Sequence, residues 1–481
     1  MGKRRLAGFL AASPEEEGLS PGPLKKVRLG TRLEVRQLGS IAGAAHIVLR
    51  RGRCVFAHAD GWADMGQGKH FGLDTICRLH GSTKPLVSAA LLTLVDDGKL
   101  GLDDPIAKHM KFSEVVAVDG GKRTRRVRTR PTVRHLLTMT AGLRYTDCPA
   151  YASIMDDVRK GKIVELASLC DALAEVPLQS EPGTWYEYSF CTDIVGRLCE
   201  VVSGEDLEAF VQRKLLRPLG MVDTSFEVPK RKLGRVALLY VCKKTKKAAG
   251  GLPYKARPWN HRESAPGIRS SGGGILTYKD AGMWGTARDY AKFCQMLLDG
   301  GKTQDGARVL RAGTVAAVWR DGLDAVYGRG GRLANWNVDD TEGPPWEGGS
   351  WDRCGWTLLN TLLQLDKPFS SAEPTRRGHS MGLGGGGGTY WLIDARRELV
   401  AITFAQSFGG GRPEDDGLGP PGNDCVDLAI AAVDEGSAAA KAKVKAKAKI
   451  KGEAKPTVKA KAKKKSIAPR GGAGVRRVAS K

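Results

Sequence analysis

Apolar and β-branched residues alternate between Ala42 and Asp64, where Ala45-His46-Ile47-Val48-Leu49 and Cys54-Val55-Phe56-Ala57 flank the basic turn Arg50–Arg53. A period of two on both sides of a turn predicts two antiparallel strands. After Lys84 the pattern changes to the apolar run Leu86-Val87-Ser88-Ala89-Ala90-Leu91-Leu92-Thr93-Leu94-Val95. This predicts a helix that buries Leu91, Leu94 and Val95 and stops near Gly98. Asp206 to Leu215 reads as a further amphipathic helix. Strand patterns return at Thr389–Asp394 and Leu399–Phe404, which are expected to close a sheet with the N-terminal hairpin. Asp427 to Val433 would then be a C-terminal helix packed on that sheet. Residues 1–30 read as a flexible leader, because Pro14, Pro21 and Pro23 interrupt any long helix.

A length of 481 residues exceeds one small core and suggests a two-lobed body with tails. No run of 18 apolar residues exists, so no transmembrane segment is expected. Lys3-Arg4-Arg5 followed by Leu6–Ala12 has the order of a short targeting segment, but Glu15-Glu16-Glu17 follows at once. Leu6 occupies the position where a myristoylation signal needs Ser or Thr. Ten scattered cysteines without a C-x-x-C pair read as reduced thiols, several of them in the core, in a reducing and therefore cytoplasmic setting. No clustered Cys/His set suggests a metal, no cofactor is implied, and His135 and His379 read as structural.

The net charge of +24 is uneven. Residues 436–481 hold 16 Lys/Arg against Glu453, a balance of +15, which leaves 24 − 15 = +9 for the rest. The repeated Lys-Ala from Lys441 onward is self-repelling and lacks large apolar groups, so 435–481 is expected to be a disordered basic tail. Such a tail suits nucleic-acid phosphates, an anionic membrane or nuclear import, which makes a nuclear location the alternative. Without aromatic residues to stack on bases, nucleic-acid binding through 436–481 would be independent of sequence.

The candidate chemistry lies at Cys77-Arg78-Leu79-His80-Gly81-Ser82-Thr83-Lys84-Pro85. This segment resembles the nucleophile segment of the β-lactamase-related serine hydrolases, which include class C β-lactamases, D-alanyl-D-alanine peptidases and related esterases. Their pattern is Ser-x-x-Lys at a helix start. Lys84 matches the lysine, Thr83 the threonine and Pro85 the proline, whereas Gly81 stands at the serine position. On a helix, residues 81 and 84 lie about 300° apart and share a face, while 82 and 84 lie roughly 200° apart and diverge. Ser82 would inherit the role only if the helix start shifted by one residue.

Two further motifs carry the resemblance, which covers about residues 14–434. Arg134-His135-Leu136-Leu137-Thr138-Met139-Thr140-Ala141-Gly142-Leu143 is similar to the family's His-Leu-Leu-Thr-His-Thr-Ser-Gly-Leu, with Met139 and Ala141 as departures. In Pro182-Gly183-Thr184-Trp185-Tyr186-Glu187-Tyr188-Ser189-Phe190, Tyr188 matches the family's proton-relaying tyrosine. Phe190 replaces the amide that often orients substrate, which weakens lactam-type recognition. Leu383-Gly384-Gly385 stands where β-lactamases carry Lys-Thr-Gly and esterase-like relatives Trp-Gly-Gly. Glycines there let a substrate carbonyl approach the backbone, and amides near Gly386 and Gly81 would form an oxyanion hole. A flexible loop is the plainer reading of the same glycines. Against this fold, 241–280 and roughly 330–376 look like inserted surface loops.

The resemblance implies an α+β fold of the class C β-lactamase and penicillin-binding type, an antiparallel sheet flanked by helices and joined to a mainly helical lobe. The expected organisation is a leader 1–30, a β-lactamase-related domain 31–434 and the basic tail 435–481. Three functions fit. The first is a catalytically impaired protein that binds a small ester-, amide- or peptide-like molecule in the cleft. The second is an active hydrolase using Ser82 or a water activated by Lys84 and Tyr188. The third is a scaffold whose tail binds nucleic acid.

Overall fold

The alternation at 42–64 folds as expected into the antiparallel strands β3 (Gly43–Arg50) and β4 (Arg53–Asp64). The computed structural model describes residues 5–145, 149–244, 254–258, 282–323, 354–365, 378–408 and 421–453. Leader strands β1 (Arg5–Leu6) and β2 (Phe9–Ala11) flank β4 on one side. On the other side come β5 (Cys354–Trp356), β6 (Leu362–Leu365), β7 (Gly378–Gly385), β8 (Thr389–Asp394) and β9 (Leu399–Ala405). The sheet order is β1-β2-β4-β3-β9-β8-β7-β6-β5, with Lys69–His70 pairing on β4 as a tenth strand. All pairs are antiparallel except β2 with β4. The C-terminal strands thus close on the N-terminal hairpin, with Ile47 facing Ile402 in register.

Helix α2 (Thr83–Asp96) is apolar all round and buried at every position except Val95, so it runs through the core rather than over a surface. Pro85 is accommodated in its first turn, where a backbone N–H has no helical partner to lose. Helix α3 (Cys191–Ser203) packs along α2 with the shorter helix Leu207–Val211, and together they build the helical lobe. Helix α4 (Ala287–Leu298) lies against β3, β8 and β9. The fold is the mixed α+β type expected.

Three expectations need correction. The leader is not loose: Phe9, Leu19, Leu24 and Val27 are buried, and Glu17 accepts a 2.7 Å bond from Arg53. Pro21 starts helix α1 (Pro21–Leu33) instead of breaking it, because proline suits the first helical position. Within 330–376, the described residues 354–365 include β6 and the edge strand β5 of the main sheet; the remainder lies outside the described residues. Within 241–280, Tyr254–Pro258 pairs with Tyr240–Lys244, and the rest also lies outside. Finally, the C-terminal helix α5 runs from Pro421 to Glu453, well beyond Val433. Its packed turns supply the nucleus, and Lys-Ala sequence propagates a helix at little cost. The chain divides after Ser437.

Buried His46 fixes α1 to the sheet. Thr31 Oγ1 donates to the Val27 carbonyl and so accepts from His46 Nε2 at 2.8 Å, which leaves His46 Nδ1 to accept from Thr403 Oγ1 at 2.8 Å. Burial lowers the His46 pKa to about 3 and that of His135 to about 4, so both are neutral in the fold. The unfolded chain protonates these rings near pH 6.5 and the folded chain does not. Stability is therefore full above pH 6.5 and falls as the pH drops toward 4, by about 1.4 kcal/mol per pH unit for each ring. Urea titrations across pH 7 to 4 should show this slope, and His46→Gln should remove about half of it, leaving the share of His135. An unchanged slope in that variant would remove His46 as its source.

Candidate active site

The turn His80–Ser82 leads directly into α2 and carries three side-chain positions toward different surroundings. His80 has φ +46°, a left-handed conformation unusual outside glycine, and this bend presents residue 81 to β7. A Cβ on Gly81 would lie 2.9 Å from the Gly384 carbonyl oxygen, 3.6 Å from Tyr188 Oη and 3.7 Å from Gly385 Cα. Lys84, fully buried one turn later, places its Nζ 4.5 Å from the centre of the Tyr188 ring. The structure therefore brings Gly81, Lys84, Tyr188, Gly384 and Gly385 into one cluster.

Ser82 points elsewhere. Its hydroxyl is buried 3.2 Å from Thr389 Oγ1, which itself donates to the Leu79 carbonyl at 3.1 Å. Ser82 is thereby the donor to Thr389, and its proton is committed to a chain ending on backbone. Tyr290 of α4 closes the other side, donating to the Ser82 carbonyl at 2.9 Å. The divergence of residues 82 and 84 follows from helical spacing, and the register shift that Ser82 would need is absent.

Tyr188 is held by backbone rather than by its own helix. The Gly183 and Glu187 amides donate to the Thr140 and Met139 carbonyls at 2.9 and 2.8 Å. Gly142 has φ +88° and faces the Ser180 carbonyl so closely that a Cβ would come within 2.4 Å of it. The two motifs around 135–143 and 182–190 thus interlock. His135 completes a capping box with Thr132, a structural role. Met139 and Ala141 are fully buried, with Met139 Sδ 3.8 Å from Ser189 Oγ.

The remaining expected positions fall differently. Phe190 is fully buried, packed edge-on against Tyr145 at 4.8 Å. Leu383 is also in the core, opposite Trp391 on β8. Gly386 is the exposed first residue of the β7–β8 turn, and Gly384 and Gly385 are the residues that meet Gly81. The glycines are not a flexible loop. A Cβ would come within 2.3 Å of the Leu79 carbonyl at Gly385 and 2.7 Å of the His80 ring at Gly387. They let β7 and its turn lie directly on residues 79–81.

Two aromatic neighbours of Tyr188 escaped the sequence reading. Tyr145 stands edge-on to it at 5.7 Å and Trp356 at 6.2 Å. Tyr145 follows directly on the 134–143 motif, a signal that was present; Trp356 sits in a stretch whose composition reads as loop. Burial raises the Tyr145 pKa well above its ordinary value, so Tyr145 is a neutral phenol. Burial likewise raises the thiols of Cys54, Cys77, Cys170, Cys199 and Cys294, and pushes Cys191 up to about 12. No helix among the described residues is long and apolar enough to cross a membrane.

The beta-lactamase family model matches residues 32–419. A Mycobacterium tuberculosis protein named Rv1367c is 30% identical over 391 residues, covering 78% of this chain and 88% of its own length. Esterase EstB of Burkholderia gladioli is 27% identical over 401 residues, covering 76% and 86%. Among solved structures, the hydrolase EstCE1, with promiscuous acyltransferase activity, has a TM-score of 0.62 at 22% identity, covering 87% of this chain and 99% of its own. Unliganded simvastatin synthase LovD of Aspergillus terreus has a TM-score of 0.62 at 22% identity, covering 85% and 98%. These two likenesses concern the fold. Family match and fold agree: the chain belongs to the beta-lactamase family, and the relatives it is similar to include esterases and acyltransferases.

Proposed function

We propose that this protein is a catalytically impaired member of its family that binds a small ester-, amide- or peptide-like molecule at the Lys84–Tyr188 cluster. One observation carries the reading: residue 81 has no hydroxyl, and the Gly384 carbonyl stands 2.9 Å from the point where its Cβ would be. A serine nucleophile needs its oxygen within reach of a base, and the nearest hydroxyl in sequence, Ser82, is buried and bonded to Thr389. The esterase relative supports an ester-like or acyl-bearing molecule as the class bound. Lys84 and Tyr188 keep an amine and a hydroxyl beside residue 81, which suits a polar carbonyl group on that molecule.

Labelling with a fluorophosphonate and with a penicillin-type probe, followed by peptide mapping, tests this directly. The expected result is no adduct at residues 81 or 82. A stable adduct on Ser82 would sink the reading. Turnover of an activated ester without any adduct, abolished by Tyr188→Phe, would establish instead a hydrolase that uses water activated by Lys84 and Tyr188.

A further inference from the structure

Helix α1 continues through the π turn Glu34–Leu38, so residues 21–38 form one helical run. Pro23, Leu24, Val27, Thr31 and Glu34 are buried on its inner side. The outer side carries Lys25, Lys26, Arg28, Leu29, Arg32, Leu33 and Arg36, all exposed. At about 100° per residue, Lys25, Leu29, Arg32 and Arg36 follow one line, with Arg28 and Leu33 on either side. Leu29 is 64% exposed and Leu33 42%. Glu34, the one acid in the run, faces inward, and Arg36 pairs with Asp60 at 2.8 Å. Lys25, Lys26, Arg28 and Arg32 have no acidic partner among the described residues. The bond chain from Thr31 through His46 to Thr403 holds this face outward.

We propose that the outer face of α1 docks on an anionic lipid bilayer. Cations alone would suit any polyanion, but a nucleic-acid backbone gains nothing from two protruding leucines. In a headgroup layer the two residue types act together: Lys and Arg meet lipid phosphates and carboxylates, while Leu29 and Leu33 enter the acyl boundary. Because the helix is already folded and anchored, docking orders no new backbone. This surface is separate from the Lys84–Tyr188 cluster and does not depend on its function.

The test uses the full chain with vesicles of phosphatidylcholine alone and of phosphatidylcholine mixed with phosphatidylserine. Because residues 436–481 are also basic, cosedimentation is paired with a local readout. That readout is an environment-sensitive fluorophore on Leu29→Cys, with its position confirmed by peptide mapping. Cosedimentation and a blue shift at position 29 are expected on the mixed vesicles and not on phosphatidylcholine. The pair Leu29→Ser, Leu33→Ser should weaken partitioning about tenfold, and Arg28→Gln with Arg32→Gln by at least as much. Cosedimentation without a shift at position 29 would assign membrane binding to the tail and overturn the proposal. So would native partitioning by the leucine variant. A leucine-dependent dimer without vesicle affinity would overturn it in favour of a second copy of this chain.

Discussion

Gly81→Ser is expected to become acylated at residue 81 by a fluorophosphonate, while the native chain is not. The substitution places a hydroxyl on the face shared with Lys84, and its Cβ would lie 3.6 Å from Tyr188 Oη. Positioned base assistance contributes on the order of 10²–10⁴ in rate, so hydrolysis of an activated ester should rise by about that much over native background. The gain has a structural cost. A contact of 2.9 Å with the Gly384 carbonyl forces β7 back by a few tenths of an ångström, a strain of about 1–3 kcal/mol. The variant should therefore melt earlier than native while reacting faster. A folded variant that stays unlabelled would mean that β7 does not yield, and that the strand, besides the missing hydroxyl, shuts the site. Equal labelling of native and variant would place the reactive group elsewhere.

Gly385→Ala should be the more damaging change. A Cβ there comes within 2.3 Å of the Leu79 carbonyl, which is backbone, and of Thr389 Oγ1, a side-chain atom held by its bonds to Leu79 and Ser82. We expect a loss of roughly 3 kcal/mol or more, enough to empty the folded state of a marginal protein. Gly386→Ala is the internal control, because its Cβ meets nothing closer than Phe408 Cε2 at 3.8 Å. It should change stability by about 0.5–1 kcal/mol at most. Denaturant midpoints for the two variants decide the matter. Similar midpoints would show that the glycine run is a loose turn after all, as its composition suggests.

Those glycines mark where the sequence stopped being readable. The strands at 43–64 and 389–405, helix α2 and the fold class follow from period and motif. The approach of Lys84 to Tyr188 follows from the same motifs. β7 does not, because Gly-His-Ser-Met-Gly-Leu-Gly-Gly has almost no strand propensity. Its strand character comes from pairing with β8 and from the need for bare backbone beside residues 79–81. Phe190 and Leu383 stand at motif positions that the resemblance assigns to substrate binding, and the motif alone does not say how deep they lie. Their apolar side chains are buried, at 0% and 3% exposure. The order of residues 5–30 was hidden because prolines that stop a helix and prolines that start one look alike until the chain around them is placed. The helix through Glu453 was hidden for a related reason: charge repulsion argues for disorder, but a helix already nucleated by packed residues extends into a Lys-Ala sequence.

The pairing of β3 with β9 sets the order in which this protein is made. His46 and Thr403 are 357 residues apart, yet they are hydrogen-bonded neighbours in adjacent strands. At 5–20 residues per second, the ribosome needs roughly 20–70 s to supply the missing partner once β3 has emerged. During that interval β3 and β4 form a hairpin with one unpaired edge, while α2, α3 and the contacts between 139–142 and 182–187 are already local enough to form. The half of the cluster that carries Lys84 and Tyr188 is therefore available before β7, the strand that faces Gly81, exists. A nascent chain stalled before residue 378 would present an open helical lobe and a sticky strand edge. Residues 64–378 are thus the stretch of synthesis over which the free edge of β3 waits for β9.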